Sequence, residues 1–343
     1  MTDLRTMRLW GAALLEAVGL DQPSIAATIR SLDFAESRGL SSHGYVRLPT
    51  YVARIRAGGI NPSPEVAVVS DRGAMAIVDA DAAIGARSAE WCVDLALSKS
   101  RGAGVGLVIA RNANHFGAAG YFTETMAAAG FFGVAICNTD SVMSAPAGGR
   151  PILGSNPISM GVPVGAGEGP VLDMATTEVS QGKIIVARDR GEQMPFGWAV
   201  DNAGLPTQDP VAGLAGALLP SGGPKGFGLA FMIDCLVAIS GAATSQLVSP
   251  LYGDPSAPQG LGHAFLAIAV DLVQTEADYA ARIGELTHAV HNSGLPGVAQ
   301  RPIVPGEREA ERLRAAGEWR ADNSTIEQFE QLSSELSVPV PRG

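Results

Sequence analysis

The first third of the chain opens with apolar side chains at helical spacing. Over residues 4–40 they recur every three or four positions, with a break at residues 19–23, and this pattern predicts two helices. A third helix is predicted over residues 48–57, because a pair of glycines follows it. Residues 61–64 contain two prolines and predict an extended linker, so we expect a boundary near residue 60.

Beyond the linker, predicted strands alternate with predicted helices. The strands are short β-branched or apolar runs, at residues 66–69, 76–79, 105–110, 133–138, 158–162 and 264–270. The helices are apolar or amphipathic stretches, at residues 87–98, 121–129, 224–240, 277–290 and 308–336. This alternation is typical of an α/β protein, and we expect that class.

Composition and charge exclude several classes of protein. The chain has 343 residues, of which 46% are hydrophobic and 17% charged, so it can bury a large core and its length suggests two domains. The formal charge of -10 repels phosphate backbones and anionic lipid headgroups, so we expect no nucleic-acid and no membrane partner. A small anionic substrate would then need a local cationic pocket.

The cysteines and the N-terminus indicate a cytoplasmic protein. Cys92, Cys137 and Cys235 each lie in an apolar stretch without zinc-type spacing, which predicts reduced, buried thiols. The N-terminus carries charged residues among its apolar ones, unlike a signal peptide. Residues 226–243 are apolar but contain Asp234, so a buried helix is predicted there instead of a membrane span.

The first candidate site is the run Ser42-His43-Gly44 with Arg47 after it. We expect this run to open the third helix, where residues four apart share a face, so that His43 and Arg47 point into one cavity. A guanidinium can bind a carboxylate there while an imidazole transfers a proton at the adjacent carbon, as a 2-oxo acid reductase requires. The alternative is a surface arginine with a capping serine and an incidental histidine.

The second candidate site is the run of small and polar residues from Asn112 to Gly120, between a predicted strand and a predicted helix. Such a connection can bring backbone N–H groups at a helix N-terminus against a diphosphate. It lacks the GxGxxG pattern, which occurs nowhere in the chain. An ordinary tight connection without a ligand is the alternative interpretation.

Several further segments combine small and polar residues. They are Gly148-Gly149, Gly154-Ser155-Asn156-Pro157, Asp173-Met174-Ala175-Thr176-Thr177, Gly182-Lys183, Pro224-Lys225-Gly226 and Pro305-Gly306-Glu307-Arg308. Each has the composition of a common turn, but Lys183 and Lys225 beside glycine are candidate contacts for a phosphate or a carboxylate. The spacing of His288 and His291 has no carboxylate partner, so we predict no metal site.

These segments, in this order along nearly the whole chain, resemble the malate/L-lactate dehydrogenase family. The resemblance is carried by Ser42-His43-Gly44, Arg47-Leu48-Pro49 with Tyr51, Asn114-His115-Phe116-Gly117, Gly197-Trp198-Ala199-Val200-Asp201 and the segments around residues 155, 174, 183, 225 and 306. It implies an α/β fold that is not a Rossmann fold, with three layers and a mixed sheet. It also implies a mainly helical domain made of separated segments. We expect residues 1–60 and 220–290 in that domain, and residues 61–219 and 291–343 in a sheet-containing domain that binds the cofactor.

The resemblance further implies roles for individual residues. His43 would be the proton donor and Ser42 its hydrogen-bonded partner, but the family leaves His115 as a second candidate for the acid/base. Arg47 and Ser155 would hold the substrate carboxylate, and Lys183 is a further expected substrate contact. The residues expected to hold the cofactor, NAD or NADP, are His115, Phe116, Gly117, Ala118, Ala119, Gly120, Met174, Ala175, Thr176, Lys225, Pro305, Gly306 and Glu307.

The function that the resemblance implies is hydride transfer between a nicotinamide cofactor and a small 2-oxo or 2-hydroxy acid, by a homodimer. One alternative is reduction of cyclic or N-alkyl imino acids, although the cyclic-imine branch of the family carries His and Asp where this chain has Gln181 and Lys183. Many members carry tryptophan at Ala147, so the pocket wall is expected to differ. A non-catalytic ligand-binding protein is the alternative of another class, and retention of both histidines and Arg47 argues against it.

Overall fold

The computed structural model describes residues 2–146, 148–165, 167–295 and 297–341. Its strands are β1 (Ala67–Arg72), β2 (Met75–Asp79), β3 (Val105–Ala113), β4 (Phe131–Cys137), β5 (Ile158–Gly161), β6 (Val171–Met174), β7 (Ala199–Val200), β8 (Pro206–Thr207), β9 (Ala217–Leu218) and β10 (Leu261–Ala269). Seven of them form one sheet in the order β1-β2-β3-β10-β4-β5-β6. In this sheet β2 and β3 run parallel and the other neighbouring pairs antiparallel, so the sheet is mixed.

The described residues form eleven α-helices, some of which pack on the two faces of this sheet. They are α1 (Leu4–Ala17), α2 (Gln22–Ser37), α3 (Leu48–Ala57), α4 (Gly85–Ala103), α5 (Ala119–Ala128), α6 (Gln181–Asp189), α7 (Pro210–Ala215), α8 (Pro224–Val237), α9 (Glu276–His291), α10 (Glu307–Ala315) and α11 (Asn323–Leu336). Helices α4 and α5 pack on one face and α8 on the other. The expected three-layer α/β fold with a mixed sheet is therefore confirmed.

The central position of β10 follows from its sequence. Successive side chains on a strand point to opposite faces, and β10 is apolar on both. Phe265 and Ala267 join the core under α4 and α5, whereas Ala264 packs with Ile233 of α8. A strand that is apolar on both faces has no face to expose to water, so it lies inside the sheet between β3 and β4.

The N-terminal helices form a second core together with the last helix. Trp10 of α1, Leu48 of α3 and Phe329 of α11 are buried in it. The rings of Trp10 and Phe329 meet edge to face with centroids 5.2 Å apart, and the indole N–H of Trp10 donates to Ser333 Oγ at 2.6 Å. The apolar stripe of α11 thus completes a helical layer that begins at the other end of the chain.

Two segments pack with a different part of the structure from the domain in which we expected them. Residues 261–269 were expected in the helical domain, but β10 forms the middle of the large sheet because it is hydrogen-bonded on both edges. Residues 323–336 were expected with the sheet, but the apolar face of α11 packs on α1 and α3. The division into domains at residues 60, 220 and 290 otherwise stays a prediction.

The segment that carries His43 and Arg47 is not the opening of a helix, so that prediction is wrong. It forms two separate 3-10 turns, Ser41–His43 and Tyr45–Arg47, and α3 begins at Leu48. The Tyr45 N–H donates to the Glu36 carboxylate at 2.8 Å, so it does not make the backbone bond that an α-helix needs.

A smaller lobe lies beside the large sheet. Strands β8, β7 and β9 form a three-stranded sheet that packs with α6 and α7 around buried residues such as Ile184 and Met194. This lobe places the first turn of α6 against the turn that carries His43. No described helix is long and apolar enough to cross a membrane.

Candidate active site

Ser42 and His43 lie together on the first of the two 3-10 turns. Ser42 Oγ and His43 Nδ1 are 3.0 Å apart, which is hydrogen-bond distance and fixes the direction of the ring. Helix α6 begins against this turn, since a Cβ built on Gly182 would lie 3.3 Å from Ser42 Cβ. The bond to Nδ1 leaves Nε2 of His43 for another group.

Arg47 is a buried cation with an incomplete set of hydrogen bonds. Its Nε donates to the Ser42 carbonyl at 2.6 Å, whereas its buried Nη1 has no partner among the described residues. The ring of Tyr252 lies over the guanidinium, with Cζ 5.3 Å from the ring centroid. Burial lowers the pKa of Arg47, but a guanidinium stays charged in a protein. A buried positive charge with an unused donor therefore faces the site.

His115 lies next to this cation and is held by a residue whose role the sequence alone did not reveal. The Tyr51 hydroxyl and His115 Nδ1 are 2.8 Å apart. Burial raises the pKa of Tyr51 to about 12, so this tyrosine is protonated at neutral pH. Tyr51 lies one helical turn after Arg47, and that spacing was the signal that could have identified it.

The backbone that carries His115 is fixed by a second residue that the sequence analysis missed. The His115 N–H donates to Gln259 Oε1 at 2.9 Å, and the Asn114 side chain donates to the Ala82 carbonyl at 2.8 Å. A Cβ on Gly85 would lie 2.1 Å from the Asn114 carbonyl oxygen, so only glycine fits there. Gln259 comes from the loop before β10, and no local pattern marks it.

The two imidazoles form a stacked pair. Their centroids are 5.8 Å apart with an interplanar angle of 22°. Burial and the charge of Arg47 lower the pKa of His43 to about 3. The same causes, with His43 and His263 adding smaller effects, lower the pKa of His115 well below its usual value. Both rings are neutral at pH 7 without a ligand, so each can accept a proton from an alcohol.

The segments predicted to hold the cofactor meet along β6, the edge strand of the large sheet. The Gly120 N–H, in the first turn of α5, donates to Asp173 Oδ2 at 2.7 Å. The Val171 N–H donates to the Pro305 carbonyl at 3.0 Å. The His115 to Gly120 run continues from this edge to the imidazoles, so it joins the two parts of the site.

Glycines allow these segments to approach one another closely. A Cβ on Gly306 would lie 2.9 Å from the backbone nitrogen of Val171, and a Cβ on Gly226 would lie 2.4 Å from the Thr176 carbonyl oxygen. Neither position has room for a side chain. These glycines therefore let the segments of Lys225 and Pro305 pack directly on the backbone of residues 171–176.

Ser155 connects this cradle to the substrate side. The backbone N–H and the hydroxyl of Thr176 both donate to the Ser155 carbonyl at 2.8 Å, and Ser155 Oγ lies 3.4 Å from Thr139 Oγ1. Lys183 is exposed in the first turn of α6, directly after Gly182, and Lys225 is exposed in the first turn of α8.

Two residues predicted to bind the cofactor use their side chains within the protein. The Phe116 ring is buried against Phe122, with centroids 5.0 Å apart. The Glu307 carboxylate lies 2.6 Å from His291 Nε2 and accepts the Val304 N–H at 3.1 Å. These two residues offer a ligand mainly their backbone. Ala147 lies outside the described residues, so the expectation about the pocket wall stays untested.

Comparison with protein families matches residues 3–321 to the family described as malate/L-lactate dehydrogenase. L-sulfolactate dehydrogenase of Methanocaldococcus jannaschii is 33% identical over 328 residues, which are 95% of this chain and 94% of that protein. Its solved structure superposes with a TM-score of 0.92 at 32% identity, covering 99% of this chain and 98% of that one.

Two bacterial relatives are named as dehydrogenases that use different nicotinamide cofactors. Ureidoglycolate dehydrogenase (NAD(+)) of Escherichia coli strain K12 is 38% identical over 252 residues, covering 73% of this chain and 71% of that protein. (2R)-3-sulfolactate dehydrogenase (NADP(+)) of Chromohalobacter salexigens is 35% identical over 268 residues, covering 78% and 80%. The similarity thus extends to dehydrogenases named for either nicotinamide cofactor.

Proposed function

The chain belongs to the malate/L-lactate dehydrogenase family and is an NAD(P)-dependent oxidoreductase of 2-hydroxy acids, and from this premise we propose how its own residues act. Arg47 binds the carboxylate of a small 2-oxo or 2-hydroxy acid, and an imidazole beside it transfers the proton. The observation that carries this proposal is the buried Nη1 of Arg47, which has no partner in the described chain. A carboxylate supplies both the missing acceptor and the missing countercharge.

The proton moves at the oxygen on C2 of the substrate. His43 Nδ1 is occupied by Ser42 and His115 Nδ1 by Tyr51, so Nε2 of each ring remains to face the substrate. In the direction of alcohol oxidation the neutral imidazole accepts the hydroxyl proton, and in the reverse direction the protonated ring returns it. Both histidines remain candidates, because each has the same kind of orienting partner.

The cofactor fits the cradle along β6. We assign its binding to backbone of residues 115–120, 174–176 and 305–307, with Lys225 as the cation beside a phosphate. The close approaches at Gly226 and Gly306 support this assignment, since they bring the segments of Lys225 and Pro305 directly against Thr176 and β6. When bound, the nicotinamide supplies the hydride chemistry. Ser155 and Lys183 complete the substrate side, Ser155 next to the cradle and Lys183 on α6 beside the Ser42 turn.

We also assign the chain to a cytoplasmic homodimer. Helix α8 and the turn after it expose the large apolar side chains Phe231, Met232 and Ile239. Such a cluster marks a surface that another protein covers, and a second copy is the partner that the family resemblance implies. Sedimentation at micromolar concentration should give twice the chain mass of 35.2 kDa. Phe231→Glu should shift the protein towards that chain mass.

The function is tested by following oxidation of NADH and of NADPH with a panel of 2-oxo acids. We expect turnover of at least one small oxo acid, and loss of it in Arg47→Leu. Turnover of pyruvate only when methylamine is added would favour imino acid reduction instead. A thermal shift with cofactor but no turnover of any substrate would favour a ligand-binding protein.

A further inference from the structure

Glu36 is a buried carboxylate directly beneath the segment that carries the proposed catalytic groups. It lies on α2 with 5% of its surface exposed, and its Oε1 accepts the Tyr45 N–H at 2.8 Å. Tyr45 stands between His43 and Arg47 on the chain. One hydrogen bond to a residue of α2 therefore fixes the backbone between His43 and Arg47.

The Glu36 carboxylate lies so close to the backbone of Gly44 that it restricts which residue fits at position 44. A Cβ on Gly44 would lie 2.0 Å from Glu36 Oε1 and 2.3 Å from its carboxyl carbon. The backbone of Gly44 has φ -88°, so the glycine is not needed for a positive φ, and the position of the Glu36 carboxylate excludes a side chain there. The carboxylate thus occupies the room that a side chain at position 44 would need.

We propose that Glu36 is a positioning residue for the reaction, which holds the two 3-10 turns so that His43 and Arg47 face the same substrate. This inference rests on the proposed function of the site. Glu36 does not touch the substrate; it acts through the backbone of Gly44 and Tyr45. A displacement of this backbone moves the guanidinium and the imidazole together, so both kcat and KM depend on it.

The groups that face Glu36 make its charge costly. Asp33 on the same helix and Asp322 at the start of α11 oppose its negative charge, and the Tyr45 hydroxyl donates to Asp33. The Tyr45 N–H and the Trp319 side chain donate hydrogen bonds to Glu36 and favour its ionised form, but they do not offset burial. Arg8 of α1 pairs with Asp33 at 2.5 Å and does not neutralise Glu36. Burial, with smaller effects from Asp322 and Asp33, raises the pKa of Glu36 to about 7.

This pKa makes the position of the segment sensitive to pH near neutrality. The ionised carboxylate accepts hydrogen bonds at both oxygens, whereas the protonated group carries a hydroxyl hydrogen on one of them. His43 and His115 have pKa values far below this range in the free protein. Asp173 in the cofactor cradle is a second buried carboxylate, and burial raises its pKa to about 6. We therefore assign to Glu36 the part of the change in activity near pH 7 that Glu36→Gln removes.

Glu36→Gln tests the proposal, with Asp33→Asn as a matched control that also contacts Tyr45 but not the backbone near Gly44. For the wild type we expect kcat/KM with an oxo acid to rise between pH 6 and pH 8. Glu36→Gln should lack this rise and lie about tenfold below the wild type at pH 8. Asp33→Asn should keep the rise. An unchanged rise in Glu36→Gln, or its loss in both variants, would overturn the proposal.

Thermal unfolding separates positioning from a purely structural role. Since the folded pKa of Glu36 lies above its ordinary value of 4.5, the folded protein binds more protons than the unfolded chain between about pH 4.5 and 7. Its contribution to stability consequently falls as pH rises through this window. Glu36→Gln should unfold at the same or a higher temperature than the wild type at pH 8, although it is less active. A lower unfolding temperature at pH 8 would indicate a structural role and overturn the proposal.

A substrate-free measurement keeps this proposal separable from the proposed function. In protein labelled with 15N-histidine, the His43 ring resonances should move with a midpoint near pH 7 in the wild type and not in Glu36→Gln. No oxo acid turnover by the wild type would count against the proposed function alone. Identical His43 resonances in both proteins across pH 6 to 8 would overturn the positioning role of Glu36.

Discussion

Arg47 and Arg54 are two buried arginines on neighbouring turns of the same stretch of chain, and they differ in how their charge is satisfied. The Arg54 Nη1 donates to the carbonyls of Pro250, Leu251 and Asp254 at 3.3 to 3.4 Å, and its Nη2 donates to Ala257, so both Nη groups are satisfied although its Nε has no partner among the described residues. Arg47 makes one bond through Nε, and its Nη1 has none among the described residues.

The difference separates a structural cation from one that awaits a ligand. Arg54 ties α3 to the loop of residues 250–257, and that loop carries Tyr252, whose ring lies over Arg47. Arg54 thus helps to shape the surroundings of Arg47. Both Nη groups of Arg54 donate within the protein, whereas no Nη hydrogen bond of Arg47 is found among the described residues, so Arg47 is the one of the two that can offer its Nη donors to a ligand.

The largest expected effect is on catalysis at Arg47. Arg47→Leu should lower kcat/KM for a 2-oxo acid by about a thousandfold, mostly through KM, because the carboxylate loses its charged partner. Its free energy of unfolding should change by less than about 1 kcal/mol, since an unpaired buried charge is removed with one hydrogen bond. Steady-state kinetics and denaturant unfolding check both parts. Loss of stability matching the loss of activity would contradict the assignment.

The matched substitution Arg54→Leu should have the opposite profile. It leaves the buried loop carbonyls without donors, so it should lower the free energy of unfolding by about 3 kcal/mol. Folded Arg54→Leu should bind substrate with a smaller defect than Arg47→Leu, caused by displacement of Tyr252. Urea unfolding measures the first effect. An Arg54 variant as stable as the wild type would remove the distinction between the two arginines.

A smaller effect should distinguish the two histidines. Tyr51→Phe removes the hydroxyl that orients His115, and Ser42→Ala removes the one that orients His43. If His115 transfers the proton, Tyr51→Phe should lose about tenfold in kcat with little change in KM, and if His43 does, Ser42→Ala should, because the ring loses its favoured tautomer. The other should be near the wild type. Wild-type kcat in both variants would contradict a role for either imidazole.

The smallest expected effect is an uptake of protons when substrate binds. Arg47 helps to hold the pKa of His43 and His115 low, and a bound carboxylate offsets that charge. The imidazole pKa should therefore rise on binding, with uptake of less than about one proton near pH 6. Calorimetry of an oxo acid analogue in two buffers of different ionisation enthalpy measures this. Proton release on binding would contradict the electrostatic account.

Much of the fold follows from the sequence, because its signals are local. The periodicity of α1 to α3, the β-branched runs of β1 to β5 and the glycines that end helices correspond to observed elements. The short strand β6 overlaps a segment with the composition of a turn, and no strand was predicted for β7 to β9, because strands of two to four residues carry too little alternation. The partners of β10 and α11 depend on long-range packing, which local periodicity does not report.

The site shows the same division between local and long-range information. The run from Ser42 to Arg47 was found from residue chemistry, although its helical geometry was wrong because Glu36 takes the Tyr45 N–H. Gln259 and Glu36 were not found, since each acts on a backbone group from another element. A residue that positions a site by a hydrogen bond to the backbone of another element leaves no recognisable motif in the sequence around it.

The most direct measurement compares one substrate in two forms, a 2-oxo acid and its carboxamide, in the wild type and in Arg47→Leu. The wild type should prefer the acid by about a thousandfold in kcat/KM, and Arg47→Leu should show almost no preference. The coupling between the side chain and the carboxylate would then assign the contact directly. An equal preference for the acid in both proteins would show that the carboxylate binds elsewhere.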